Sequence, residues 1–404
     1  SSQAGPPSES AAPTRYRWVV LGSLIAGNSV FTLVGLSLGI LLPSIVAELQ
    51  LSPLQAGWLG SVFRLGNILL ALPFGYILSR YNPRLLLIVT FGVATLFTFA
   101  QAAAPVFGLL LAARGLFGIC QAARSPGRAL YLVQWFPPTQ IVAATGLFIG
   151  VTGIAEAGTL MLTPFALEAL GSWRLTLGTF GAYILVVTVL FIILARERVT
   201  KSYREALASQ RDLPVWSIFR YRELWLASLG GFGTTVGWWA FATFWPTYMK
   251  DTYAMPLTLS GFLFGLISLG MTLASLVVGW GANSPGRRRA VVLTCGGLMT
   301  LGSLGLLATS SVPLLVLSAA MAGLAWGFVP IVHSLPYQIP GIKPRETAVA
   351  ASFMSTMFMA GGAVGPFLAG ALYQASGSLQ LALVVCALAP LSLTATGLLQ
   401  GRRR

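Results

Sequence analysis

Three arginines and a glutamine interrupt one long apolar run between residues 106 and 134: Arg114, Gln121, Arg124 and Arg128. On an α-helix, at 3.6 residues per turn, they fall within an arc of roughly 80°. One positive stripe therefore follows a single face of that helix. An ionised side chain near a bilayer centre costs at least ~2.5 kcal/mol on insertion scales, so such residues face a bundle interior and have a function there. A guanidinium presents a rigid fork of N–H donors that matches carboxylate or phosphate oxygens. The chemistry expected of the stripe is anion binding.

Arg124, nearest the middle and beside Ser125-Pro126-Gly127, is the first candidate for a substrate ligand. Arg128, closer to the end of the run, reads as a ligand, a gate or a lipid-headgroup contact. Arg64 lies deep in the run at 54–79 and reads as a substrate or gating contact. Arg114 has two readings, conformational duty or bonding to helix carbonyls. Glu156 is the acidic residue of these apolar runs; it forms either a structural ion pair with an arginine or a proton-coupling carboxylate. His333, the sole histidine, is the second coupling candidate, the plainer reading being a hydrogen-bonded helix residue. Trp238 and Trp239 lie too deep for an interfacial belt and either pack or stack on a substrate. Asn28 and Thr32, one turn apart, offer neutral hydrogen bonds to a ligand.

The elements that must hold these residues are membrane helices. Of 404 residues 56% are hydrophobic and 9% charged, against roughly 25% charged in a soluble domain; mean hydropathy is +0.80. Apolar runs and their polar breaks predict twelve spans, near 17–46, 54–79, 85–104, 106–134, 140–166, 174–195, 224–249, 257–282, 290–308, 313–337, 347–374 and 380–399. The fold class is thus an all-α membrane protein with two pseudo-symmetric six-helix halves. A disordered tail is expected at 1–14, an N-terminal half at 15–195, a linker at 196–223 and a C-terminal half at 224–404. The linker stretch from Lys201 to Arg211 is weakly amphipathic and suits a membrane surface.

A net charge of +15 first suggests nucleic acid, but the basic residues alternate with the spans instead of forming one patch. Most lie on one side: Arg15, Arg17, Arg80, Arg84, the segment from Arg196 to Arg222, Arg287 to Arg289, Lys343, Arg345 and Arg402 to Arg404. Basic residues stay cytoplasmic during insertion, so both termini are expected in the cytoplasm, as an even number of spans also requires. The polar start, Ser1 to Pro13, does not read as a cleavable signal, so the first span is expected to direct insertion. Cys120, Cys295 and Cys386 all sit in apolar runs and read as buried hydrophobes. Lys201, Lys250 and Lys343 occur outside any phosphate-binding G-x-x-x-x-G-K-[ST] loop. No cofactor, metal or catalytic cluster is expected.

The two halves echo each other. The stretch Gly75-Tyr-Ile-Leu-Ser-Arg-Tyr-Asn-Pro-Arg84 has its counterpart in Gly279-Trp-Gly-Ala-Asn-Ser-Pro-Gly-Arg-Arg-Arg289. Both resemble the loop G-x-x-x-D-x-x-G-R-[RK] of the major facilitator superfamily, departing at the acidic position with Ser79 and Asn283. The run Arg114-Gly-Leu-Phe-Gly118 is similar to its R-G-x-x-G motif. Trp135-Phe-Pro137 and Gly365-Pro-Phe-Leu-Ala-Gly370 with Tyr373 and Gly377 also match. The resemblance spans essentially the whole chain. It implies a cavity lined by the first, fourth, seventh and tenth spans, and gating roles for Gly75, Arg80, Arg84, Arg114, Gly279, Asn283 and Arg287.

Within that superfamily the fourth span looks most like organic-anion/proton symporters and cyanate- or nitrate-type permeases. Gln121 stands where the symporters often carry an acid, and their first-span Asp-Arg pair is missing. The fifth span, Gly150-Val-Thr-Gly-Ile-Ala-Glu-Ala-Gly158, lacks the G-P-x-x-G-G signature of drug/proton antiporters and the glycine signature of nitrate carriers. The expected activity is alternating-access transport of a small, preferentially organic anion by symport, exchange or uniport, by a monomer in the bacterial inner membrane. Proton-coupled efflux of amphipathic drugs or metabolites is the alternative; it would call for an acidic, aromatic cavity. A sensor that kept the fold would usually add a soluble domain.

Overall fold

The structure is a computed structural model that describes residues 16–78, 83–136, 138–196, 217–281, 285–339 and 344–400. The tail at 1–14, Arg80, Asn283 and the linker stretch from Lys201 to Arg211 lie outside the described residues. Among the described residues every regular element is helical.

The first group runs α1 (Tyr16–Leu36), α2 (Leu38–Leu49), α3 (Pro53–Leu78), α4 (Pro83–Ala103), α5 (Phe107–Trp135), α6 (Pro138–Leu170) and α7 (Trp173–Leu194). After a 3₁₀ turn at Ser217–Arg220 come α8 (Arg222–Tyr253), α9 (Leu257–Gly281), α10 (Pro285–Ala308), α11 (Val312–Leu324), α12 (Val329–Ser334), α13 (Pro344–Ser376), α14 (Leu379–Leu388) and α15 (Leu391–Gln400). Nine of the described helical segments are long and apolar enough to cross a membrane, with α2 and Phe107–Gln121 as shorter apolar helices. Proline opens α3, α4, α6, α10 and α13, where its fixed φ suits the first turn and its missing N–H is not needed.

Three expected spans are bent, each with a local cause. The first is broken at Ser37, between Gly35 and Gly39. The tenth passes from α11 through a 3₁₀ turn, Ala325–Phe328, into α12, with Pro330 in the first turn of α12. The last is divided at Pro390, which cannot donate to the preceding turn; Ala389 N–H bonds the Cys386 carbonyl oxygen instead.

Large apolar side chains such as Leu96, Leu162, Ile193 and Val277 face outward, the inverse of a soluble surface. Buried hydroxyls return their hydrogen bonds to the preceding turn, as Thr98 to Ala94, Thr163 to Thr159 and Thr188 to Ile184. These polar atoms therefore need no partner on another helix.

The two helix groups meet along α3 with α13, α6 with α9, and α2 with α8. At one end of the molecule this contact is backbone on backbone. A Cβ on Gly57 would stand 2.6 Å from the Pro366 carbonyl oxygen, and one on Gly370 would stand 2.6 Å from that of Pro53. Gly261 abuts the Leu160 carbonyl and Gly39 that of Ala242 in the same way. Glycine is what permits this closeness. All of these residues lie toward the end of the bundle holding the α2–α3 and α8–α9 turns, so the two groups are drawn together there.

Candidate functional site

Arg64 projects from α3 of the first helix group into contact with α8 and α13 of the second. It is 8% exposed. Its guanidinium lies 3.3 Å from the centroid of the Trp239 ring, a face-on cation–π contact. Nη1 donates to the Met359 sulfur at 3.5 Å, a weak acceptor. Nε is buried with no hydrogen-bond partner. A Cβ on Gly362 would stand 2.7 Å from Arg64 Cδ and 3.0 Å from Trp239 Cδ1, so the bare glycine is what admits the arginine. Among the described residues no carboxylate pairs with Arg64, although the Glu156 charge acts on it and that of Arg114 opposes it. This buried cation is held by π electrons and a thioether, and its Nε keeps donor capacity for a further acceptor.

Arg114 is the contrast. It is 3% exposed and its donors are taken. Nε donates to the Leu59 carbonyl at 2.8 Å, Nη2 to Gly35 at 3.3 Å, and Nη1 to Val34 at 3.4 Å and Gln101 Oε1 at 3.3 Å. Val34 and Gly35 lie in the last turn of α1 before the break at Ser37, so Arg114 helps to cap the interrupted helix. Arg114, Phe63, Trp239 and Thr243 line a small cavity of about 10 Å³ with the backbone at Gly35 and Gly39.

Around this pair the other expected residues sort by position. Asn28 Nδ2 donates to Thr152 Oγ1 at 3.3 Å, joining α1 to α6 one turn before Glu156, and Thr32 Oγ1 bonds the Asn28 carbonyl at 3.5 Å. Gln121 has a buried Oε1 with no partner. Arg124 and Arg128 lie on α5 as expected, but their side chains lie outside what is described. Trp238 packs at a tilt against Phe264 and edge-on against Trp326 inside the second group. His333 ends α12 beside Phe358 in an edge contact at 5.4 Å. Gly75 and Gly279 fall in α3 and α9. Arg84 donates to the Ile192 carbonyl at 3.0 Å, and Arg287 lies at the exposed start of α10.

Met359 and Gly362 escaped the sequence reading, because an uncharged residue in an apolar helix carries no signal of what crosses to it. Glu346 escaped it too. It is 2% exposed at the start of α13, accepting from Tyr221 Oη at 2.9 Å and Arg220 Nη2 at 3.2 Å. At the opposite end Glu48 accepts from Trp173 Nε1 at 2.6 Å and Arg174 Nε at 2.7 Å.

Outward-facing apolar helices around buried cationic side chains define a polytopic membrane protein. The sequence model of the Major Facilitator Superfamily matches residues 19–340 and 227–400, so the chain belongs to that superfamily and is a multi-pass integral membrane protein. It is similar to the D-galactonate transporter of Escherichia coli O6:H1, 25% identical over 81% of this chain and 83% of that one. It is also similar to sialin of Ovis aries, 26% identical over 56% of this chain and 49% of that protein. Among solved structures, a bacterial homolog of the human lysosomal transporter Spinster, inward-facing and occupied, superposes with a TM-score of 0.82. It is 15% identical over 97% of this chain and 98% of that one, a likeness of fold.

Proposed function

We propose that this protein is a secondary transporter that moves a small organic anion by alternating access through the site at Arg64 and Trp239. The reading includes twelve spans in two six-helix halves, 15–195 and 224–404, joined at 196–223, with both termini in the cytoplasm and the protein in the bacterial inner membrane. The observation that carries it is the buried Arg64 guanidinium, reaching from α3 to α8 and α13 with its Nε unpartnered. Trp239 covers one face and Met359 takes Nη1. The Nε–Nη2 edge is left, and its two parallel N–H groups match the two oxygens of a carboxylate. An anion there contacts both halves at once, as a rocking mechanism around a midplane site requires. The tight glycine contacts beside the α2–α3 and α8–α9 turns fit a state closed to the outside.

Gln121, Arg124 and Arg128 continue the site along α5, with Asn28 and Thr32 as neutral donors across from them. Glu156 is the coupling group in this reading: it shares the field of Arg64 with the substrate, so anion arrival favours its protonation. His333 serves as a second proton site. Relatives named for galactonate, hexuronate and nitrite transport support an anionic substrate.

Thermal stabilisation of the detergent-purified protein across mono- and dicarboxylates, sugar acids, inorganic anions and lipophilic cations tests this. A ligand at 100 times its dissociation constant adds about 2.7 kcal/mol to the bound state. Stabilisation by one anion class, lost in Arg64→Gln, is expected. Stabilisation by lipophilic cations alone overturns the reading in favour of drug efflux.

A further inference from the structure

A second arginine–aromatic cluster lies far from the transport site, where α1 begins, α5 ends and α7 ends. Arg17 donates from Nη1 to Gln140 Oε1 at 2.7 Å. Its guanidinium lies 5.4 Å from the Trp18 ring centroid and 5.9 Å from that of Phe136. Its Nε is buried without a partner, and among the described residues no carboxylate lies within ion-pairing distance of it. Arg196, just beyond α7, places its guanidinium 4.8 Å from the Tyr16 ring centroid. The backbone there is fixed, because Trp135 Nε1 donates to the Arg196 carbonyl at 3.1 Å and Tyr16 Oη to that of Leu194 at 2.6 Å. The rings are joined in turn, Tyr16 to Trp135 at 5.7 Å and Trp18 to Phe136 edge-on at 5.8 Å. Trp18 is 49% exposed.

We infer that this cluster is a binding site for the headgroup of an anionic phospholipid. Three features point the same way. The cluster stands where three membrane helices leave the apolar layer, the level at which tryptophan sits among headgroups. Arg17 on its aromatic base offers N–H donors to a phosphodiester, and the charges of Arg17 and Arg196 together attract negative charge to that leaflet. The exposed Trp18 face beside Arg17 provides apolar contact for the glycerol and upper acyl region. Arg17 and Arg196 are adjacent to the first and last spans of the N-terminal half, so a bound lipid braces α1 against α7. The site needs only that this face carry headgroups, and it stands or falls independently of the transported substrate.

The test uses the full chain in neutral detergent, adding dioleoylphosphatidylglycerol, dioleoylphosphatidylcholine or glycerol 1-phosphate and recording the melting temperature. Phosphatidylglycerol is expected to raise it, and the other two are not. The double variant Arg17→Gln/Arg196→Gln is expected to need about 30-fold more phosphatidylglycerol for half of the effect. An equal response to phosphatidylcholine, or an undiminished response in the double variant, overturns the site. An equal response to glycerol 1-phosphate assigns it to a soluble anion and overturns the lipid. Should the double variant not fold, Arg17→Lys keeps the charge but not the planar fork. It must lose part of the response, and full retention overturns the site.

Discussion

Arg64 and Arg114 are both buried arginines in apolar helices, yet their partners give them opposite roles. Arg114 donates to three carbonyls and an amide, whereas Arg64 has a ring, a thioether and an unused edge. Removing the first leaves buried carbonyls unpaired. Arg114→Gln is therefore expected to lose about 3 kcal/mol of stability, since hydrogen bonds to charged groups contribute ~1.5–3 kcal/mol each. Its melting temperature should fall while ligand affinity stays within about three-fold. Arg64→Gln should do the reverse: ligand affinity falls about 30-fold or more, as truncation of a buried charge pair costs ~2–5 kcal/mol. Its unliganded melting temperature should hold or rise, because a buried unpaired charge has gone. Titrations against melting curves for both variants decide the matter; identical behaviour would dissolve the distinction. For Trp239, a desolvated cation–π contact of ~2 kcal/mol predicts affinity about 30-fold weaker in Trp239→Ala. Trp239→Phe keeps a ring and should recover most of it, and a Phe variant as weak as Ala would argue for shape over π electrons.

Helix elements meet where glycine allows it. The Gly57·Pro366 and Gly370·Pro53 approaches hold α3 to α13 without side chains between them. A leucine at Gly57 cannot fit at a Cβ–oxygen separation of 2.6 Å, so α3 and α13 must part at that end. The expected result is a population shift toward the outward-open state. A cysteine at Thr243, on the cavity wall, reports it in a background without the native cysteines. Labelling of Thr243→Cys by an impermeant maleimide from outside should speed up about ten-fold in Gly57→Leu; an unchanged rate would remove these contacts from the gate. Glu346 joins a different pair of elements, tying the 3₁₀ turn before α8 to the start of α13 through Arg220 and Tyr221.

At the scale of the whole molecule, coupling requires that one charge feel two others. Glu156 on α6 acts on Arg64 on α3, and in the proposed function the substrate approaches the same guanidinium. In proteoliposomes, Glu156→Gln is expected to abolish uptake driven by a pH gradient while sparing counterflow exchange of substrate. Exchange needs rocking but no net proton movement. The proposed role of Glu156 is falsified if gradient-driven uptake persists at the wild-type rate.

The membrane class and the superfamily were legible in the chain itself, because lipid demands long apolar helices and charge asymmetry at their ends. The positive stripe of Arg114, Gln121, Arg124 and Arg128 was legible for the same reason: a charge in an apolar run is conspicuous. Helical periodicity, however, places residues only on a face of their own helix. It could not separate Arg114, which caps the break at Ser37, from Arg64, which crosses to Trp239. Nor could it find Met359 and Gly362, whose contribution is a sulfur and a missing Cβ at the point where two distant helices touch. Which arginine is satisfied and which is left with an open edge depends on partners as far apart in the chain as the Leu59 carbonyl, 55 positions from Arg114, and the Met359 sulfur, 295 positions from Arg64. Local sequence determined that these helices form and what they can bury; only their packing decided which guanidinium kept an unpartnered donor.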